Sequence, residues 1–421
     1  MTGHVISIIS ESEAVSLFFT VTILLLSAVL CGKLVTLLKL PKVVGEILGG
    51  FLLGPALFGR FFPDLYGSIF FSFDGHGSAL SVFYWLGLMF LMFASGCQSN
   101  FENIKDDKKI IGCLAAGATI PPLILGYLIS DRFFADYYLG TADNRTVFNI
   151  IFALYMAVTS LPVISKIFMD LGLIRHRFAR IILVTSTIQA FFLWPVLALS
   201  TSVITNQAFI FADFFLHTGF TLAMFAFAIL ITPRLKRFLP PNKLQIFTHD
   251  SLIFLICFCT VYFGGLFNVN IMYSAFVAGI IYKNVRSERA VASQAKLEDI
   301  CLAFFTPLYF AIVGLRLYVG GDFSVGRFLA VLIIAHVVEM LSCFIAMKSI
   351  KLDWLSSLNL GVAMNARGGP GIVLASIAFD LDIINNEFFF VLVFVVLVTT
   401  ATTGYWIDFI NKKGKLFENV C

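Results

Sequence analysis

Charged side chains are scarce inside the apolar runs of this chain, and those present are of types that move protons or hold ions. Glu339 lies about twelve residues into its run and cannot easily reach water, and His336 stands three residues earlier on the same helical face. Ionisable groups at such depth are costly and usually face a bundle interior or a cavity. Burial and a neighbouring cation act on a carboxylate in opposite senses, so a protein can tune it to exchange protons near neutral pH. Glu339 is therefore the candidate proton carrier, with His336 as the group that tunes it. The same acid would equally suit a static ion pair with Arg367 or Lys166 that holds helices together. Arg367 is always charged and fits the role of a fixed cation. Lys166 sits near the end of its run and can snorkel to the surface, and Glu46, also near an end, reads as structural.

Oxygen ligands for a cation come from a second set. Thr159-Ser160-Leu161-Pro162 interrupts one apolar run and Asn365-Ala366-Arg367-Gly368-Gly369-Pro370-Gly371 another. Proline removes a backbone donor and clashes with the preceding turn. In hydrocarbon the freed groups are tolerated only where protein or a watery cavity satisfies them. Thr185-Ser186-Thr187-Ile188-Gln189 adds side-chain oxygens with no carboxylate, suited equally to lining a pathway and to bonding back to their own helix. Thr159, Ser160, Thr187, Gln189, Asn365 and Arg367 are thus candidate pathway residues.

The elements that hold these groups are membrane helices. Of 421 residues, 59% are hydrophobic and 13% charged, and the mean hydropathy is +0.94, where a soluble domain carries about a quarter charged. A water-soluble fold is excluded. A span needs roughly 20 apolar residues, and apolar windows bounded by charge, Gly or Pro give thirteen, at about 15–37, 43–59, 78–98, 110–130, 147–169, 181–203, 209–232, 249–266, 270–283, 300–317, 328–347, 357–379 and 388–409. With the N-terminus outside, most of the 29 lysines and arginines fall in cytoplasmic loops, leaving Arg60, Arg132, Arg145, Arg316 and Arg327 outside. The positive-inside rule then gives N-out and C-in, an assignment that would break if one span were added or dropped midway. The net charge of +4 is too mild to suggest nucleic acid. The eight cysteines lie in apolar stretches without a CxxC pair and read as small core residues. The first 14 residues lack a basic start, so the first run is expected to be a retained span. No soluble regulatory domain is expected.

An internal echo narrows the class. Leu86-Gly-Leu-Met-Phe-Leu-Met-Phe-Ala-Ser-Gly96 resembles Phe304-Phe-Thr-Pro-Leu-Tyr-Phe-Ala-Ile-Val-Gly314, and the two interrupted spans are likewise seven spans apart. An odd offset puts the copies in opposite orientations, which is the inverted-repeat plan of secondary transporters with two discontinuous helices crossing at the midplane.

Leu40-Pro-Lys-Val-Val-Gly-Glu-Ile-Leu-Gly-Gly-Phe-Leu-Leu-Gly-Pro55 resembles the signature after the first helix of cation:proton antiporter family 2, the Kef-type potassium/proton antiporters and bacterial sodium/proton exchangers. Ala157-Val-Thr-Ser-Leu-Pro-Val-Ile-Ser-Lys-Ile-Phe-Met-Asp-Leu-Gly172, Pro307-Leu-Tyr-Phe-Ala-Ile-Val-Gly314 and Met364-Asn-Ala-Arg-Gly368 are similar to three further family segments in the same order. The resemblance covers essentially the whole chain. It implies a homodimer and the NhaA-like antiporter fold. It also implies scaffold helices at about 15–98 and 209–317 and a mobile core at about 110–203 and 328–409 that carries substrate by an elevator-like motion. The chain departs from the pattern at the ion site. Counting from Arg180, and back from Pro195, the family's ion-binding aspartate falls on Ala190, which the resemblance thereby adds to the candidate pathway residues, and Gln189 takes the polar position before it. Where many members carry a lysine about 28 residues before the motif arginine, this chain has Glu339. Gly96-Cys97-Gln98 stands where the family often reads Gly-Leu-Glu.

The expected protein is an all-α polytopic membrane protein of thirteen helices forming a single transport domain, not an enzyme. It is a proton-coupled Na⁺ or K⁺ antiporter of the bacterial inner membrane, with Glu339 replacing the carboxylate lost at Ala190. No cofactor, metal site or catalytic residue is expected. Two alternatives stay open: a member repurposed for an anion or polar organic solute held by Arg367, the half-helix N-termini and Gln189, or a non-transporting membrane sensor.

Overall fold

Apolar side chains on every face, interrupted only by Pro, Gly and short polar clusters, force the backbone to satisfy itself within helices. The computed structural model, which describes residues 9–38, 40–98, 107–174, 176–205, 211–234, 249–267, 269, 271–285, 299–318 and 323–417, has helix at every apolar window read from the sequence. No strand forms among the described residues beyond one isolated bridge, Leu139 to Ile384. Among the described residues, seven helices are long and apolar enough to cross a membrane: Glu11–Leu37, Lys42–Phe61, His76–Cys97, Lys108–Phe133, Arg177–Trp194, Val325–Ser349 and Asn386–Lys412. Shorter apolar helices fill the other windows. Lys39, Lys105, Arg175, Lys236, Arg237, Lys243, Arg286, Arg289 and Lys296, which carry part of the charge argument for orientation, lie outside the described residues.

The chain divides into two compact units. The first comprises Met1–Phe90 and Asp299–Tyr318. Its first helix opens on a capping box, Ser10 with Glu13, which satisfies two otherwise orphaned donors. Helix Lys42–Leu53 packs on it and on helix Thr306–Leu315. Glycine makes that second contact possible: a Cβ on Gly50 would run into the Ala311 carbonyl, and one on Gly314 into that of Ile47. Small residues of this kind let membrane helices approach backbone to backbone. Glu46 is buried here and paired with Lys42 at 3.1 Å.

The second unit, Leu91–Glu298 with Val319–Cys421, holds the candidate site. Within it, beside the helices Phe211–Ala226, His249–Leu266 and Ile271–Val285, stand two similar groups of helices. Each has a long helix (Lys108–Phe133; Val325–Ser349), an interrupted one (Arg145–Met156 with Leu161–Asp170; Trp354–Met364 with Gly368–Asp380) and a second long one (Arg177–Thr205; Asn386–Lys412). Helix Lys108–Phe133 packs against Val325–Ser349, so the two groups share a wall. Side-chain caps fix where helices begin: Asn144 accepts from Val147 N, Asp353 from Ser356 N and Asn385 from Phe388 N, each worth typically about 1 kcal/mol. At one end the connecting loops join, with Gly140 N donating to Ile383 O at 2.9 Å and Asn385 N to Tyr138 O at 3.0 Å.

Candidate functional site

Two interruptions of helix leave backbone groups without intrahelical partners, and in the second unit each interruption supplies the partners of the other. The first runs from Ala157 to Ser160, the second from Asn365 to Arg367. Thr159 Oγ1 donates to Met364 O at 2.6 Å, closing the helix that ends there, and Ser160 N donates to Ala366 O at 2.6 Å. In return Arg367 reaches the carbonyl end of helix Arg145–Met156, donating from Nε to Tyr155 O and from Nη2 to Met156 O, both at 3.1 Å. A cation at a helix C-terminus also meets the negative end of the helix dipole.

Proline and glycine fix the local shape. Pro162 and Pro370 occupy the first turns of the two half-helices that follow the breaks, where a missing N–H costs nothing. Gly368 adopts φ +42°, a left-handed conformation that side chains disfavour, and a Cβ there would lie 2.6 Å from Ser160 Oγ. Its N–H donates to Thr400 Oγ1 at 3.2 Å.

Glu339 is placed at the junction by helix Val325–Ser349 and is fully buried, as is Arg367. Its Oε1 lies 3.2 Å from Thr159 Oγ1, whose single proton is shared between this carboxylate and the nearer Met364 O, and its Oε2 lies 2.9 Å from Arg367 Nη2. Oε2 has no hydrogen bond among the described residues and faces the guanidinium charge. The guanidinium uses four of its five N–H groups on other acceptors: besides the Tyr155 and Met156 carbonyls it donates to Ala335 O at 2.8 Å and to Asn365 Oδ1, and it lies over the Tyr155 ring at 5.7 Å. Tyr155 is itself anchored, its hydroxyl donating to Leu392 O at 2.6 Å.

Glu339, Thr159, Ser160, Asn365, Arg367 and Gln189 are thus brought together. Gln189 is buried, with Oε1 accepting from Thr159 N and Nε2 donating to Ala118 O, each at 3.0 Å, and it is among the polar neighbours of the Glu339 carboxylate. Other sequence candidates point elsewhere. The His336 ring pairs with Thr402 Oγ1 at 2.9 Å and Leu332 O at 3.2 Å, so its link to the site runs through its carbonyl, which accepts from Asn365 Nδ2 at 3.4 Å. Thr187 and Ser186 bond back to Leu183 O and Ile182 O, as hydroxyls in apolar helices do. Ala190 is half-buried and Lys166 exposed. Tyr155, Thr400 and the Pro121-Pro122 pair escaped the sequence reading. The prolines were a visible signal, since each leaves a carbonyl unpaired four residues back.

At one end of the same unit, helices Lys108–Phe133 and Arg177–Thr205 are clamped by Asp107. Arg177 Nε and Nη2 donate to its Oδ1 at 2.9 and 2.7 Å, and Arg180 Nη2 to its Oδ2 at 3.0 Å. Burial alone would raise the Asp107 carboxyl, but the hydrogen bonds and charges of the two arginines outweigh it and hold the group below the usual carboxylate range. Arg177 also covers the Phe417 ring at 5.2 Å.

Comparison with known proteins gives a consistent context. The sequence model of the family described as sodium/hydrogen exchanger, transmembrane, matches residues 22–413. The Na(+)/H(+)-K(+) antiporter GerN of Bacillus cereus is 25% identical over 394 residues, 92% of this chain and 94% of that protein. The K(+)/H(+) antiporter 1 of Saccharomyces cerevisiae is 27% identical over 414 residues, 94% of this chain, which spans 46% of the yeast protein's length. In three dimensions the chain resembles the sodium proton antiporter MjNhaP1 of Methanocaldococcus jannaschii, with a TM-score of 0.64 over 96% of this chain and 99% of that one. At 14% identity that likeness concerns the fold alone.

Proposed function

Because the chain belongs to the sodium/hydrogen exchanger family, one of secondary transporters and not of enzymes, we propose that it exchanges a monovalent cation, Na⁺ or K⁺, for protons across a membrane. The observation that carries this reading is the Glu339 carboxylate at the meeting of both chain breaks, one oxygen on Thr159 and the other facing Arg367 without a hydrogen bond. That second oxygen can take a proton or face a cation, but not both at once. Competition for one carboxylate is the simplest physical basis of exchange. Thr159 and Ser160 add oxygens beside it, and Asn365 and Arg367 hold the second break in place. Arg367 already meets four oxygen acceptors besides Glu339, which argues against its serving as the ligand of an anionic solute.

Around this site we place thirteen membrane crossings, N-terminus outside and C-terminus in the cytoplasm of a bacterial inner membrane. The two interrupted helices cross near the midplane, where discontinuous helices of transporters hold their ions. Helices at about 110–203 and 328–409 form the mobile core, and those at about 15–98 and 209–317 the scaffold and homodimer contact, with the core moving as an elevator. The carboxylate absent at Ala190 is supplied by Glu339 from the facing helix.

The test is exchange in proteoliposomes. Adding Na⁺ or K⁺ to vesicles carrying an acid-inside gradient dissipates it with the native protein and not with Glu339→Gln. No response of the native protein to either ion would overturn the proposal.

A further inference from the structure

Pro122 lies inside helix Lys108–Phe133. Lacking an N–H, it cannot bond the carbonyl four residues back, that of Ala118. That buried carbonyl takes its hydrogen from Gln189 Nε2 at 3.0 Å, across from another helix. The other end of the same amide accepts the N–H of Thr159 at 3.0 Å, a donor freed by the first chain break. Both contacts agree on which end of the amide is oxygen and which nitrogen. Two defects of backbone bonding on different elements are therefore repaired by one side chain, and the repaired residue, Thr159, is the one whose hydroxyl meets Glu339 at 3.2 Å.

We propose that Gln189 is a positioning residue: it uses the carbonyl that Pro122 leaves unpaired as an anchor and holds the first break where the Thr159 hydroxyl meets Glu339. Its length fits the task. Asparagine, one methylene shorter, cannot span the two backbone groups, and glutamate keeps the acceptor for Thr159 but sets an oxygen against the Ala118 carbonyl. With its oxygen on Thr159 N and its nitrogen on Ala118 O, the amide is fixed in place by backbone groups on two different elements.

The test rests on the antiporter reading and measures exchange in proteoliposomes against cation concentration. Gln189→Leu, similar in volume, is expected to raise the cation concentration for half-maximal exchange about tenfold, the equivalent of one buried hydrogen bond, with the maximal rate much less changed. Should Gln189→Leu fold poorly, Pro122→Ala in the same chain restores the helical partner of Ala118. That double variant is expected to recover folded yield but keep the raised half-saturation, because Thr159 N remains unpaired. Gln189→Leu combined with Thr159→Val is expected to be no worse than Thr159→Val alone, since Gln189 acts through Thr159. Unchanged half-saturation in folded Gln189→Leu, or full additivity with Thr159→Val, would overturn the positioning role while leaving cation exchange by the native chain intact. Absence of exchange by the native chain would instead overturn the antiporter reading.

Discussion

Arg367 donates to the carbonyl of Met156 at 3.1 Å, so a cation held by one chain break closes the helix that ends at the other. The exchange is reciprocal, because Thr159 closes the helix ending at Met364. Neither break can be repaired without the other. The geometry of the junction is thus a property of both helical groups together, and what disturbs one break is felt at the second.

Arg367→Lys tests that dependence. A guanidinium carries five donors in a rigid fork, whereas an ammonium carries three at one point, so lysine cannot serve the carbonyls of Tyr155, Met156 and Ala335 and the side chain of Asn365 together. Each buried acceptor left unpaired costs about 1–3 kcal/mol. The variant is expected to melt at a lower temperature in detergent than the native protein, and an unchanged melting temperature would show that the fork is not what holds the junction.

Gly368→Ala adds one methyl where φ is +42° and where Ser160 and Val163 crowd the position. The backbone strain alone is of order 1–3 kcal/mol, and relief by shifting Ser160 would move the first break. Lower thermal stability and slower exchange are expected together. Gly67→Ala, at a site with no atom within 4 Å of the added carbon, is the matched control and should leave both unchanged.

Acid should loosen the Asp107 clamp. The folded carboxyl lies below its ordinary value, so its contribution is complete above the unfolded pKa of about 3.9 and drains away as pH falls through the lower folded value. Melting temperature measured between about pH 6 and pH 3 is expected to drop at the acid end, and Asp107→Asn should lower the plateau and flatten that drop. A variant that keeps the native slope would assign the acid sensitivity to other carboxylates.

Much of this arrangement was legible in the amino-acid order, and for a physical reason. A chain in hydrocarbon must satisfy its own backbone, so hydropathy located the apolar helices though not the short Pro63–Phe70 and Ala135–Tyr138, and Pro162, Gly368 and Pro370 marked where helices stop because those residues act on their own backbone. Glu339 and Arg367 stood out because charge is rare at depth. What one dimension could not supply was the choice of partner. Glu339 had two admissible fates, titrating acid or ion pair, and Arg367 does lie 2.9 Å away. His336 shares a helical face with Glu339, yet its ring bonds Thr402, 66 residues on. Gln189 looked like a free oxygen ligand because the carbonyl that claims it, Ala118, is orphaned by a proline in another helix.

The pairing of Glu339 with Arg367 is unequal, and the inequality makes one variant a clean probe of transport. Breaking a buried pair from one side typically costs about 3–5 kcal/mol because the remaining charge is stranded. Replacing Arg367 by Gln strands the Glu339 carboxylate, whose other direct hydrogen bond is from Thr159, and also uncaps helix Arg145–Met156. Replacing Glu339 by Gln leaves a guanidinium that still meets the carbonyls of Tyr155, Met156 and Ala335 and the side chain of Asn365, so its charge stays solvated by protein oxygens. Glu339→Gln is expected to lose less than about 2 kcal/mol, the scale of one charged hydrogen bond, and Arg367→Gln distinctly more. Thermal melts of the two purified variants decide the order. If Glu339→Gln melts near the native protein while its exchange is abolished, loss of the titrating acid accounts for the defect and unfolding does not; if it melts as low as Arg367→Gln, the acid is a structural strut and the exchange chemistry must reside elsewhere.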